Sequence, residues 1–109
     1  MTSQIEAILS AAPVIPVLVI EDINSAVPLA RALVAGGLTS LEVTLRTPVA
    51  LDAIRAMAES IPEAQVGVGT VLTGGDLDAA HEAGAVFAVA PGSSPALLHA
   101  ASDLSLIHI

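Results

Sequence analysis

The 109-residue sequence contains no cysteine, no tryptophan, no tyrosine and no lysine, and a single phenylalanine. Without cysteine, disulfides and thiolate metal sites are excluded. Without aromatic platforms for base stacking, and with a formal net charge of −8, the chain is unsuited to nucleic acid, whose phosphates it would repel. Arg31, Arg46 and Arg55 are its only fixed cations, so each one is informative. Long apolar runs are also lacking. The most hydrophobic, AAPVIPVLVI at 11–20, is interrupted by two prolines and falls far short of the roughly 20 residues of a membrane span. The opening MTSQIEAILS carries Glu6 but no basic residue and so lacks the positive region of a secretory signal. The expectation is a soluble cytoplasmic protein with no nucleic-acid or membrane partner.

What is present is small and aliphatic: 54% of residues are hydrophobic and only 13% are charged. Such a composition suits strands buried on both faces, with helices packed closely upon them. Apolar runs recur at PVIPVLVI (13–20), LEVTL (41–45), QVGVG (65–69) and VFAVA (86–90), each followed by helix-start chemistry. A short helix over residues 3–10 leads. Asn24 is the expected cap of the next helix, with Pro28 in its opening turns and AGG at 35–37 as its stop. Thr47 caps the following one, with Pro48 at its first position and Leu51, Ile54, Met57 or Ala58, and Ile61 as its buried stripe. Thr73 or Asp76 opens a helix that closes at Gly84, and Ser94 with Pro95 opens the last.

Strands alternating with helices imply parallel strands joined by right-handed crossovers. An open doubly wound sheet and a closed (β/α)8 barrel both use this order. The stretch LEVTLRT at 41–47 favours the barrel. Successive strand residues face opposite sides, so Leu41, Val43 and Leu45 share an oily face while Glu42, Thr44 and Arg46 share a polar one. In an open sheet, helices would cover both faces and leave Glu42 and Arg46 as costly buried charges. A barrel turns one face toward a cavity whose mouth binds substrates. Four units are half of a barrel, which takes about 200 to 250 residues. Residues 1–109 are therefore expected to form the amino-terminal half of a single (β/α)8 barrel: an α/β fold of four βα units, with the tail LSLIHI opening a fifth strand.

Glu42 and Arg46 would stand about 13 Å apart along an ideal strand, too far for an ion pair unless the chain bends at the strand end. With the carboxylate deeper and the guanidinium at the rim, the pair suits a proton carrier below an anion clamp. The plainer alternative is a solvated Arg46 and a Glu42 paired with a residue from another strand. GVGTVLTGGD at 67–76 resembles a nucleotide loop but has neither the lysine of a P-loop nor a third glycine in register. Gly67 and Gly69 instead leave room inside the barrel for a ligand or for bulky neighbours. Thr70 has the opposite parity and faces that cavity only if the chain turns just after Gly69. Pro91 and Gly92 end the fourth strand. His81 and His99 fall within helices as surface or boundary residues, Glu21 and Asp22 follow the first strand within reach of the mouth but read better as a solvated loop, and His108 is given no role. The histidines have no metal-ligand spacing, and no Ser-His-Asp arrangement is present.

Taken together, PVIPVLVI, ALVAGGL, LEVTLRTPVALDAIRA, VGVGTVL and FAVAPG resemble, in unbroken order over about residues 5–101, the amino-terminal half of the 2-keto-3-deoxy-6-phosphogluconate (KDPG) and 4-hydroxy-2-oxoglutarate (KHG) aldolase family. The resemblance implies a class I aldolase on a (β/α)8 barrel, a homotrimer when full length. Such an enzyme cleaves KDPG to pyruvate and glyceraldehyde 3-phosphate, or 4-hydroxy-2-oxoglutarate to pyruvate and glyoxylate, without metal or cofactor. It implies Glu42 as the general acid/base and Arg46 and Thr70 as ligands of the pyruvate carboxylate. The family's Schiff-base lysine lies on the sixth strand, beyond residue 109. This segment alone is therefore expected to be inactive, and the tail to depart from the family pattern. The alternatives are another phosphate-binding barrel enzyme, of the thiamine phosphate synthase or epimerase kind, and a non-catalytic half-barrel that self-associates through its open strand edges.

Overall fold

The computed structural model describes residues 2–104 and 106–108. Five helices alternate with five strands: α1 (Thr2–Ser10), β1 (Val17–Leu18), α2 (Ile23–Ala35), β2 (Ser40–Thr44), α3 (Ala50–Ser60), β3 (Gln65–Gly69), α4 (Gly74–Ala83), β4 (Phe87–Ala88), α5 (Pro95–Asp103) and β5 (Ile107–His108). The strands are parallel and lie in the strictly sequential order β1-β2-β3-β4-β5. A doubly wound sheet reverses its strand order at a switch point, whereas a barrel wall does not. The fold is thus a segment of barrel wall. Ser105 and Ile109 of the tail lie outside the described residues, and the backbone of Ile107–His108 pairs with β4 as the opening of a fifth strand would.

One side of the sheet carries the main core. Leu41 and Val43 of β2, Val66 and Val68 of β3 and Ala88 of β4 are buried against Ala26, Ala30, Ile54, Met57, Leu77 and Ala80 from the helices. Alanine recurs where helix meets strand, and its small side chain lets the layers approach. The other side forms the inner face. At its lower end α1 packs across the strand starts, where the Ser40 hydroxyl donates to the Ile8 carbonyl at 2.9 Å.

Several local expectations need correction. Thr47 does not cap α3. Its hydroxyl donates instead to the Ile20 carbonyl beyond β1, and α3 starts at Ala50 behind Val49, which offers no side-chain cap. Asp22, not Asn24, caps α2 by accepting from the Asn24 amide at 2.9 Å, which leaves Pro28 inside the helix. The first strand shortens to Val17–Leu18 because Pro13 and Pro16 have no amide to contribute to a ladder. Elsewhere the local chemistry is as expected. Thr73 and Asp76 form a reciprocal capping box, Ser94 caps α5 with Pro95 behind it, and Gly84 ends α4 at φ 107°.

Candidate active site

β2 is flanked by hydrogen-bonded neighbours on both sides, so its even-numbered side chains project onto the inner face at three heights. Ser40, lowest, is tied to α1. Thr44, highest, donates its hydroxyl to the Leu18 carbonyl at 3.0 Å and so bolts β2 to β1. Glu42 between them is 9% exposed. Its carboxyl lies over β3: a Cβ added at Gly69 would collide with Oε2, Cδ and Cγ of Glu42. Burial pushes the Glu42 carboxyl above its ordinary pKa, and the charge of Arg46 pulls it part of the way back. An acid so placed holds its proton to higher pH than a surface glutamate.

The strand ends after Thr44, and Leu45 and Arg46 form a turn. This bend gives Arg46 its influence on Glu42 despite their separation along the chain. Arg46 itself is exposed at the rim. On the adjacent strand the chain also turns directly after Gly69. Thr70, half-buried, adopts φ 60°, a left-handed conformation that β-branched residues rarely accept. The kink is pinned on both sides, by the Leu45 amide donating to the Gly69 carbonyl at 3.0 Å and the Val71 amide to the Val89 carbonyl at 3.2 Å. Because Thr44 and Gly69 are register partners, Arg46 and Thr70 leave neighbouring strand ends at about the same level, just above the Glu42 carboxyl.

The space expected over Gly67 and Gly69 is occupied by bulky neighbours. Gly69 accommodates Glu42, and a Cβ at Gly67 would overlap the ring of Phe87. Phe87 is the residue that sequence reasoning missed. Its signal was its status as the sole aromatic, facing a glycine strand. His81 and His99 are exposed on α4 and α5, and Glu21 and Asp22 are exposed beyond β1. The side chain of His108 lies outside the described residues. A cavity of about 540 Å³ lined by Ile8, Gln65, His81 and Leu106 among others opens at the opposite, strand-start end, away from Glu42, Arg46 and Thr70. Among the described residues no three His, Asp or Glu side chains cluster as a metal site, and no helix is long and apolar enough to cross a membrane.

An acid with a raised pKa, a rim cation and a hydroxyl on a strained backbone thus stand at adjacent strand ends. The family model for KDPG and KHG aldolase matches residues 5–109. The chain belongs to that family. Within KDPG/KHG aldolases it is 55% identical over 98 residues to the KHG/KDPG aldolase of Escherichia coli (strain K12), covering 90% of this chain and 46% of that protein. It is 61% identical over 88 residues to the 2-dehydro-3-deoxy-phosphogluconate aldolase of Zymomonas mobilis, covering 81% and 42%. Among solved structures, the KDPG aldolase of Zymomonas mobilis ZM4 with 3-phosphoglycerate superposes with a TM-score of 0.93 at 50% identity, over 100% of this chain and 52% of that one. The Legionella pneumophila KDPG aldolase, with pyruvate captured as a covalent carbinolamine, gives 0.93 at 44% identity, over 100% and 53%. The chain spans about half the length of the curated relatives it matches. Family membership places the chain with the KDPG and KHG aldolases and not with the thiamine phosphate synthases or epimerases.

Proposed function

We propose that residues 1–109 are the amino-terminal half of a class I aldolase barrel, and that Glu42 is its general acid/base. The whole enzyme cleaves KDPG to pyruvate and glyceraldehyde 3-phosphate, or 4-hydroxy-2-oxoglutarate to pyruvate and glyoxylate. It works in the cytoplasm as a homotrimer, with a lysine from beyond residue 109 as the nucleophile. The observation that carries this reading is the Glu42 carboxyl, held over Gly69 on the inner face with its pKa raised by burial.

In this scheme the lysine amine adds to the substrate ketone to give a carbinolamine, the species captured with pyruvate in the Legionella relative. Glu42 delivers a proton to the carbinolamine hydroxyl, which leaves as water and generates the protonated imine. Now ionised, Glu42 takes the proton of the C4 hydroxyl. The C3–C4 bond breaks, the aldehyde forms, and the bonding electrons move to the imine nitrogen as an enamine. A carboxyl whose pKa burial raises keeps a proton to donate more readily than a surface carboxylate does. Arg46 pairs with the pyruvate carboxylate by charge and Thr70 by its hydroxyl, fixing the ketone over Glu42.

The test is borohydride trapping of pyruvate on the complete enzyme, with Glu42→Gln as the variant. A pyruvate adduct in the wild type and an adduct formed about 100-fold or more slowly in the variant are expected. An enzyme that yields no adduct is not a class I aldolase, and an unimpaired variant removes Glu42 from the chemistry.

A further inference from the structure

Val17, Glu42, Gly67 and Phe87 form one register row across β1 to β4. In a parallel sheet such a row directs its Cβ positions to the same face, so Glu42 and Phe87 approach the space over Gly67 from opposite sides. They cannot share it. The ring of Phe87, fully buried, takes the volume that a Cβ on Gly67 would need. Glu42 instead extends over Gly69, the next inner-face position toward the mouth.

We propose that Phe87 is a positioning residue for Glu42: by filling the space over Gly67 it blocks the carboxyl from lying across its own row and directs it up the barrel toward the level of Thr70. The two glycines of QVGVG divide the labour, the first receiving the ring and the second the carboxyl. The inference rests on the reading of Glu42 as acid/base. The ring also takes the place of water beneath the carboxyl, in keeping with the direction in which burial moves its pKa. Val17, Thr44, Gly67, Gly69 and Phe87, its inner-face neighbours on β1 to β4, carry no charge. Arg46 is the charged group that acts on it.

The experiment is a double-mutant cycle in the complete enzyme with Phe87→Ala and Glu42→Gln, read as kcat, KM and the pH profile of kcat/KM. Phe87→Ala should lower kcat about 10-fold or more with KM changed less than about 2-fold, and should move the acidic limb to lower pH as water reaches the carboxyl. Phe87→Leu, which refills most of the volume, should recover much of the rate. On a Glu42→Gln background the Phe87 change should cost little more, because its effect acts through the carboxyl. If Glu42→Gln is slow and Phe87→Ala multiplies the loss independently, Phe87 is only a packing residue and the proposal is overturned while the acid/base reading stands. If Glu42→Gln retains the wild-type rate, the acid/base reading itself fails. Should Phe87→Ala not fold, the same cycle with Phe87→Leu decides: a small coupled loss supports the proposal and an additive one overturns it.

Discussion

The Glu42 carboxyl occupies the volume that a side chain at Gly69 would need. The two residues belong to neighbouring strands, and one constrains the other without a hydrogen bond. Gly69→Ala in the complete enzyme should therefore push the carboxyl out of line and lower kcat by about 10²-fold or more, the scale of a misplaced general acid/base. The strand itself should survive, because Gly69 has an ordinary φ and its conformation accepts alanine. Steady-state kinetics beside circular dichroism check both halves, and an alanine variant of near-normal rate would show that the carboxyl is free to move aside.

The conformation of Thr70 leads to opposite effects on stability and on binding. A β-branched residue at φ 60° costs about 1 to 2 kcal/mol relative to a relaxed backbone. Thr70→Gly relieves that cost but enlarges the freedom of the unfolded chain, so stability should rise by about 0 to 1 kcal/mol. The KM for the keto acid should rise at the same time, and Thr70→Ser should restore it by returning the hydroxyl. Loss of stability in the glycine variant would contradict the strain.

Arg46 sits at the exposed rim, so Arg46→Ala should change stability by no more than about 0.5 kcal/mol. Its charge lowers the Glu42 pKa, and without it the carboxyl should titrate at still higher pH. The KM for pyruvate-containing substrates should increase about 10- to 100-fold, the worth of a charge-assisted contact. Side-chain ¹³C NMR of Glu42 and a KM measurement test the two effects separately. A downward shift on removing the cation would refute the electrostatic assignment.

The raised Glu42 pKa also fixes the sign of a pH effect on stability. Below its ordinary value near 4.5 the group is protonated in both folded and unfolded chains, and its contribution is fully present. As pH climbs from there through the raised folded value, the unfolded chain gives up its proton first. The folded chain then binds more protons, and stability falls until both forms are ionised. Glu42→Gln abolishes this slope. Thermal melts from pH 4 to 8 should show the variant gaining on the wild type as pH increases, and a wild type that gains on the variant would overturn the assignment.

The legible parts of the fold were those encoded within a few residues. The capping box of Thr73 and Asp76, the Ser94–Pro95 start of α5 and the Gly84 stop are complete in short stretches of chain, because each satisfies local backbone groups. Thr47 misled for the converse reason. Its hydroxyl was drawn to the Ile20 carbonyl, a partner 27 residues away that no local pattern announces. Asp22 and Asn24 compete for one helix start, and only the backbone path decided between them.

By itself the sequence determined the alternation of strand and helix, the two-faced pattern of LEVTLRT and the presence of glycines where something had to pass close to the strand, since each follows from side-chain periodicity and size. Only the tertiary structure decided what fills those places, because parallel register sets which side chains meet across strands. That register brought Phe87 over Gly67 and Glu42 over Gly69. It also set the turn at Thr70, through hydrogen bonds with the segments on either side, and so placed a carboxyl, a hydroxyl and a cation at one end of two adjacent strands.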